Sequence, residues 1–123
     1  MYKITKDIIL DVNRNSIQDT IYIPQGAASA HQLAMHINQN GHALDMTGCT
    51  VQIKAVKPDD TKVYDACVVD SDTAYYTVSK QFAAVVGYVS CQVEIINSGV
   101  VLYSPKFQCV VTEGVGLKNI GRE

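Results

Sequence analysis

The sequence predicts an all-β domain: an antiparallel, immunoglobulin-like β-sandwich of about eight strands with one short helix. Three observations carry this. Apolar and polar residues alternate with period two through most of the chain, which assigns one set to a buried face and the other to water. Turn residues recur at roughly 8–12-residue spacing, as in a sandwich of short strands. Only one stretch has helical spacing of its apolar residues.

Taken in order, the first strand is expected near Tyr2 to Val12, with Ile4, Ile8 and Leu10 on its apolar side. Strands follow near Thr20 to Ile23 and Gln32 to Asn38. Asn40-Gly41 then sits between apolar stretches, a strong short-turn signal. In "CTVQIKAV" the residues Cys49, Val51, Ile53 and Ala55 share one face, and Thr50, Gln52 and Lys54 take the other. Pro58 in "KPDDTK" occupies the first central position of a turn, where its fixed φ fits. Further strands are expected near Lys62 to Val69 and Ala74 to Val78. "VSKQFAAVVGY" is the exception to period two. Ser79 can cap a helix, Phe82, Ala83 and Val86 have helical spacing, and Gly87 can stop it. "YVSCQVEII" resumes the alternation, and Gly99 can take the positive φ of a short hairpin. The last strand, Val100 to Val111, contains Pro105. Proline has no N–H to give a ladder, so an edge or a bulge is expected there. There is no Trp and no Cys-Trp-Cys arrangement, so a true immunoglobulin domain is not indicated.

At 123 residues the chain has the size of one domain. Residues 1–113 are expected to form the sandwich. Residues 114–123, glycine-rich with scattered apolar side chains, read as a C-terminal exit segment leading to further chain. Ten basic against twelve acidic side chains give a net charge of −2, and no Lys/Arg cluster stands out in the sequence. Lys54, Lys57 and Lys62 come nearest, offset by Asp59, Asp60 and Asp65. A nucleic-acid partner is therefore not expected. The longest nearly apolar run, "FAAVVGYV", is too short to span a membrane, and "MYKITKDIIL" has no signal-peptide character, so a soluble cytosolic product is expected. In that setting Cys49, Cys67, Cys91 and Cys109 read as buried free thiols, and their spacing supports no zinc site.

No residue pattern points to catalysis, a metal or a cofactor. His31 and His36 lie five apart near one strand, hence on opposite faces, and cannot chelate one ion; with His42 they read as surface or loop residues. Asp45, Asp59, Asp60, Asp65, Asp70 and Asp72 gather around turns, where Asp bonds nearby amides. "DSDT" lacks the glycine and closing glutamate of a calcium loop, and neither "GAASA" nor "GVG" has the Lys-Ser/Thr of a phosphate cradle. Of the adjacent Tyr75 and Tyr76, one should point outward. Exposed tyrosine can anchor an interface, although cross-strand packing is the simpler reading.

The stretches "NGHALDMTGCTVQIKAVKPDDTKVYDA" and "AVVGYVSCQVEIINSGVVLYSPKFQCVV" resemble the N-terminal domain of phage baseplate upper proteins, found in long-tailed phages and prophages of Gram-positive bacteria. The matching elements are Asn40-Gly41, Leu44-Asp45-Met46-Thr47-Gly48, Lys57-Pro58-Asp59 and Gly87-Tyr88. Their order and spacing carry the resemblance over Ile8 to Thr112. Two departures stand out: Asp60 where the family commonly has glycine, and Ala27 where an acidic residue is common. The resemblance implies a structural, non-enzymatic adaptor of the virion baseplate, made in the bacterial cytoplasm. It would dock on the distal tail hub protein and carry the receptor-binding protein of the same phage. The isolated domain is expected to be monomeric and the full-length protein oligomeric. The N-terminal segment Tyr2 to Val12 reads as a mobile arm or an edge strand, and edge strands pair readily with partners, so Ile4, Ile8 and Leu10 are interface candidates, with Gln25, Gly26 and His31 from the Pro24 to His31 loop and Tyr76 as an exposed tyrosine. Two other functions make different demands on such a domain. A carbohydrate-binding β-sandwich for bacterial wall sugars needs exposed tyrosines beside polar groups in a shallow groove. An enzyme or hydrolase accessory domain needs two titratable groups within hydrogen-bond reach in a pocket.

Overall fold

A computed structural model of the chain describes residues 4–14, 16–27 and 29–113. The expected exit segment 114–123 lies outside them. In chain order the strands are β1 (Ile4–Asp11), β2 (Ser16–Pro24), β3 (His31–Gln39), β4 (His42–Ala43), β5 (Thr50–Val56), β6 (Lys62–Ala66), β7 (Val68–Asp70), β8 (Thr73–Thr77), β9 (Gly87–Asn97), β10 (Val100–Tyr103) and β11 (Lys106–Thr112). They form two sheets. The first has the order β1-β3-β8-β7, with β4 on β3; the second has the order β2-β11-β9-β5-β6, with β10 on β9.

The two inner faces supply the core. From the first sheet come Ile8, Leu10, Leu33, Met35, Ile37, Ala74 and Tyr76; from the second, Ile21, Ile23, Val51, Ile53, Ala55, Val89, Cys91, Val93, Phe107 and Cys109. These are the alternate positions of each strand, as period-two patterning requires. The fold is the sandwich the sequence predicts, with one difference in strand direction. β1 runs parallel to β3, and β2 parallel to β11. Alternation reports which side chains are buried and is silent on the direction of the neighbouring strand.

Two expected strands are each broken. The stretch Lys62 to Val69 divides because the chain passes from the second sheet to the first at Cys67, whose N–H bonds the Val51 carbonyl at 2.9 Å. At Ser104-Pro105 the pairing with β9 slips by one residue, from Tyr103↔Glu94 to Phe107↔Cys91. This is the bulge expected of Pro105. The Ser104 hydroxyl accepts the Val93 N–H there at 2.9 Å.

The expected helix does not form, and no helix occurs among the described residues. Ser79 does act as a cap, its Oγ accepting the Phe82 N–H at 3.1 Å, but the turn stops after two long bonds, from the Ala83 N–H to the Ser79 carbonyl at 3.3 Å and from the Ala84 N–H to the Gln81 carbonyl at 3.4 Å. One turn does not recover the cost of helix nucleation. Phe82 and Ala83 instead plug the end of the sandwich. Next to them Gly87 lies against Pro58: a Cβ at Gly87 would fall 2.9 Å from the proline ring, at a φ of +131°. The Lys57–Thr61 loop keeps its glycine-type geometry although Asp60 replaces the glycine, because Asp60 itself takes φ +67°. The Asn40-Gly41 turn forms as expected between β3 and β4. It is tied to the end of β1 by the Asp11 carboxylate, which accepts the Asn40 and Gly41 N–H groups at 3.2 and 2.7 Å.

Candidate interaction surfaces

The polar side chains inside and around the sandwich are largely bonded to one another. The Tyr76 hydroxyl donates to Asp65 Oδ2 at 2.5 Å, with Ser79 Oγ 3.4 Å from the same oxygen. Burial and the neighbouring Asp65 carboxylate both push the Tyr76 phenol well above its ordinary value. This group therefore joins β6, β8 and the Ser79 turn rather than offering a proton for chemistry. On the outer face of the first sheet His36 bridges Asp7 Oδ1 and Thr73 Oγ1, each at 3.0 Å. On the outer face of the second sheet Glu94 is the centre of a network. It accepts bonds from Gln52, from Tyr103 at 3.1 Å and from Lys54 at 3.3 Å. The Gln52 bond, then those from Lys54 and Tyr103, holds the Glu94 carboxyl below the usual carboxylate range. The Glu94 contact raises Lys54 in turn. Among the described residues no three His, Cys, Asp or Glu side chains are grouped so as to hold a metal.

The cysteines are free. Cys91 and Cys109 are buried with their sulfurs 3.9 Å apart, whereas Cys49 and Cys67 are half-buried, less enclosed than expected. Burial, with Asp65 nearby, pushes the Cys67 thiol up to about 12.

The seven candidate interface residues do not come together. Ile4 is 47% exposed at the start of β1, but Ile8 and Leu10 are buried in the core. Their apolar stripe faces inward, because the first strand is a member of the sheet and not a free arm. Gln25 and Gly26 sit at one end of the sandwich, tied to the Ala83-Ala84 turn by bonds of 3.1 and 2.9 Å. His31 is no surface histidine: it pairs with Ile4 in the ladder, its side chain is buried and its Nδ1 lacks a partner among the described residues. Burial, with Lys6 nearby, holds its imidazole below the ordinary value. Tyr76 is buried too, and Tyr75 is the member of the pair on the outer side.

The surface that sequence reasoning missed is the outer face of the second sheet. Tyr22, Val110 and Tyr88 form one cross-strand row over β2, β11 and β9. Tyr64 and Tyr103 flank Lys54, whose Nζ stands 5.8 and 5.2 Å from their ring centres. Tyr22, Tyr64, Tyr88 and Tyr103 are all substantially exposed. The signal was present: Tyr64 and Tyr88 occupy polar-side positions of alternating strands, where a large ring is anomalous.

Comparison with known proteins adds what the geometry lacks. The family model of the BppU N-terminal domain, the baseplate upper protein, matches residues 2–120. The chain belongs to this family. It is thus a BppU N-terminal domain, a structural part of the phage baseplate located in the virion tail, with other tail components as partners. A solved structure, the N-terminal domain of phage TP901-1 ORF48, matches with a TM-score of 0.72 and 13% identity, over 87% of this chain and 97% of that one. At that identity the likeness shows the fold alone. No curated protein matches the chain by sequence.

Proposed function

We propose that this BppU N-terminal domain is a non-enzymatic adaptor that docks on the distal tail hub and carries the machinery bearing the receptor-binding protein. One observation supports the reading above others. Apolar side chains fill the interior, and most polar groups near it, His31 Nδ1 excepted, are bonded within the domain, while a broad tyrosine- and valine-bearing sheet face is left outside. Monomeric proteins seldom expose a contiguous apolar face without a use for it. The test is association of the purified domain with its cognate tail hub. The adaptor reading expects a stoichiometric complex; no complex, with both proteins folded, removes it.

A second reading, recognition of bacterial wall sugars, draws on Tyr64 standing beside Gln92 and Lys54 in a shallow hollow, with Tyr103 on the other side of Lys54. Both rings already flank Lys54, which weakens the case for stacking a sugar on them. A glycan array decides between the two.

A further inference from the structure

We propose that the hollow on the outer face of the second sheet is the docking site for an acidic segment of a neighbouring tail protein. The identity of that partner rests on the adaptor reading above; the chemistry of the site does not. The hollow, about 230 Å³, lies where two cross-strand rows run side by side, Tyr64–Lys54–Gln92 and Lys62–Val56–Ser90. Lys106 lines it from β11.

The charge distribution is the argument. The whole chain carries twelve acidic and ten basic side chains, yet every charged residue lining this hollow is a lysine. Lys54 is matched by Glu94. Lys62 and Lys106 are exposed, and neither pairs with a carboxylate among the described residues. Three lysines drawn from residues 54, 62 and 106 are held side by side by strand register, not by loops, so little ordering is needed when an anion arrives. An excess of positive charge so placed attracts carboxylates and orients their approach.

The surroundings favour a protein segment over a phosphate-bearing glycan. Val56 is part of the hollow, and the Tyr22–Val110–Tyr88 row continues the same sheet face beyond it. A chain with acidic residues beside apolar ones matches both the lysines and this extended surface. A polar polymer would leave the valines and rings uncovered.

The test has two arms. In the first, the full chain is titrated with hexaglutamate and followed by amide NMR shifts. Shifts are expected around Lys54, Lys62, Tyr64, Ser90, Gln92 and Lys106, weakening with salt and lost in K62E/K106E. In the second, hub association is measured for wild type, K62E/K106E and, on the opposite outer face, I9E. The double variant should bind about tenfold or more weakly, while I9E stays within about twofold. The neutral pair K62Q/K106Q repeats the measurement with less risk to strand β6. A hub complex that K62E/K106E and K62Q/K106Q both form at wild-type strength overturns the docking inference and leaves the adaptor reading standing. A wild-type chain that does not bind the hub removes the adaptor reading, and the peptide arm then judges the hollow alone. Hexaglutamate shifts that are absent or scattered over other faces overturn the inference. So do shifts at the hollow with poly(glycerol phosphate) and none with hexaglutamate.

Discussion

The outer faces of the two sheets rest on a common interior and follow the same alternation, yet they are unlike. The outer face of the first sheet carries Thr5, Asp7, Gln32, Ala34, His36, Thr73 and Thr77, short or polar residues among which Asp7, His36 and Thr73 are bonded in a chain, together with one half-buried tyrosine, Tyr75 on β8. Its large exposed apolar residues, Ile9 and Val68, stand on the edge strands β1 and β7. The outer face of the second sheet carries Tyr88, Val56 and Val110 on its inner strands β9, β5 and β11, and Tyr22, Tyr64 and Tyr103 on the flanking β2, β6 and β10, with lysines among them. Folding requires only that each inner face be apolar. Rings on an outer face do nothing for the core, and under the proposed docking their greater number on the second sheet marks the side that would meet a partner.

The strongest way to break that contrast is to strip the second face. Tyr64→Ala together with Tyr88→Ala should weaken hub association by about 100-fold, whereas Ile9→Ala should change it by less than about twofold, both measured by calorimetry. Thermal unfolding should separate these losses from misfolding, because the two rings are exposed.

The next effect concerns the interior that the faces share. Tyr76→Phe removes the donor to Asp65 Oδ2 and should cost about 2 kcal/mol of stability by urea unfolding, with no direct effect on either outer face. A neutral result would mean that Asp65 finds water in place of the phenol.

A smaller, pH-dependent effect sharpens the comparison on the second face. Glu94 in the folded chain lies below its ordinary value of 4.5, so its network stabilises fully above that value and is lost as pH falls through the lower folded value. Wild type should therefore lose stability in that acid window, and Glu94→Gln should show a shallower loss there. Asp11 is depressed in the same direction by the Asn13 and Gly41 amides, so part of the slope will survive the substitution. The smallest expected change lies outside both faces. Asp60→Gly relieves a positive φ and should raise stability by about 0.5–1 kcal/mol.

Most of the core was legible because alternation is a local signal. Val51, Ile53 and Ala55, and Val89, Cys91, Val93 and Ile95, all face inward as their spacing requires. The Asn40-Gly41 turn and the Pro105 bulge were legible for the same reason, since backbone chemistry at those residues leaves few choices. What failed depended on distant partners. The Ser79 cap predicted a helix that stops at one turn with Phe82 buried in the core, and Tyr76 stood among the interface candidates because its acceptor, Asp65, lies on another strand, beyond the reach of local patterning. The lysine hollow was illegible because strand register alone joins Lys106 to Lys54 and Lys62.

Hydroxyl-radical footprinting of the domain, free and bound to its tail hub, tests the central claim most directly. The account predicts that Tyr22, Tyr64, Tyr88 and Tyr103 lose reactivity in the complex while Ile9 on the opposite face keeps it. A complex that leaves those four tyrosines as reactive as in the free domain, with protection of Ile9 instead, would contradict it.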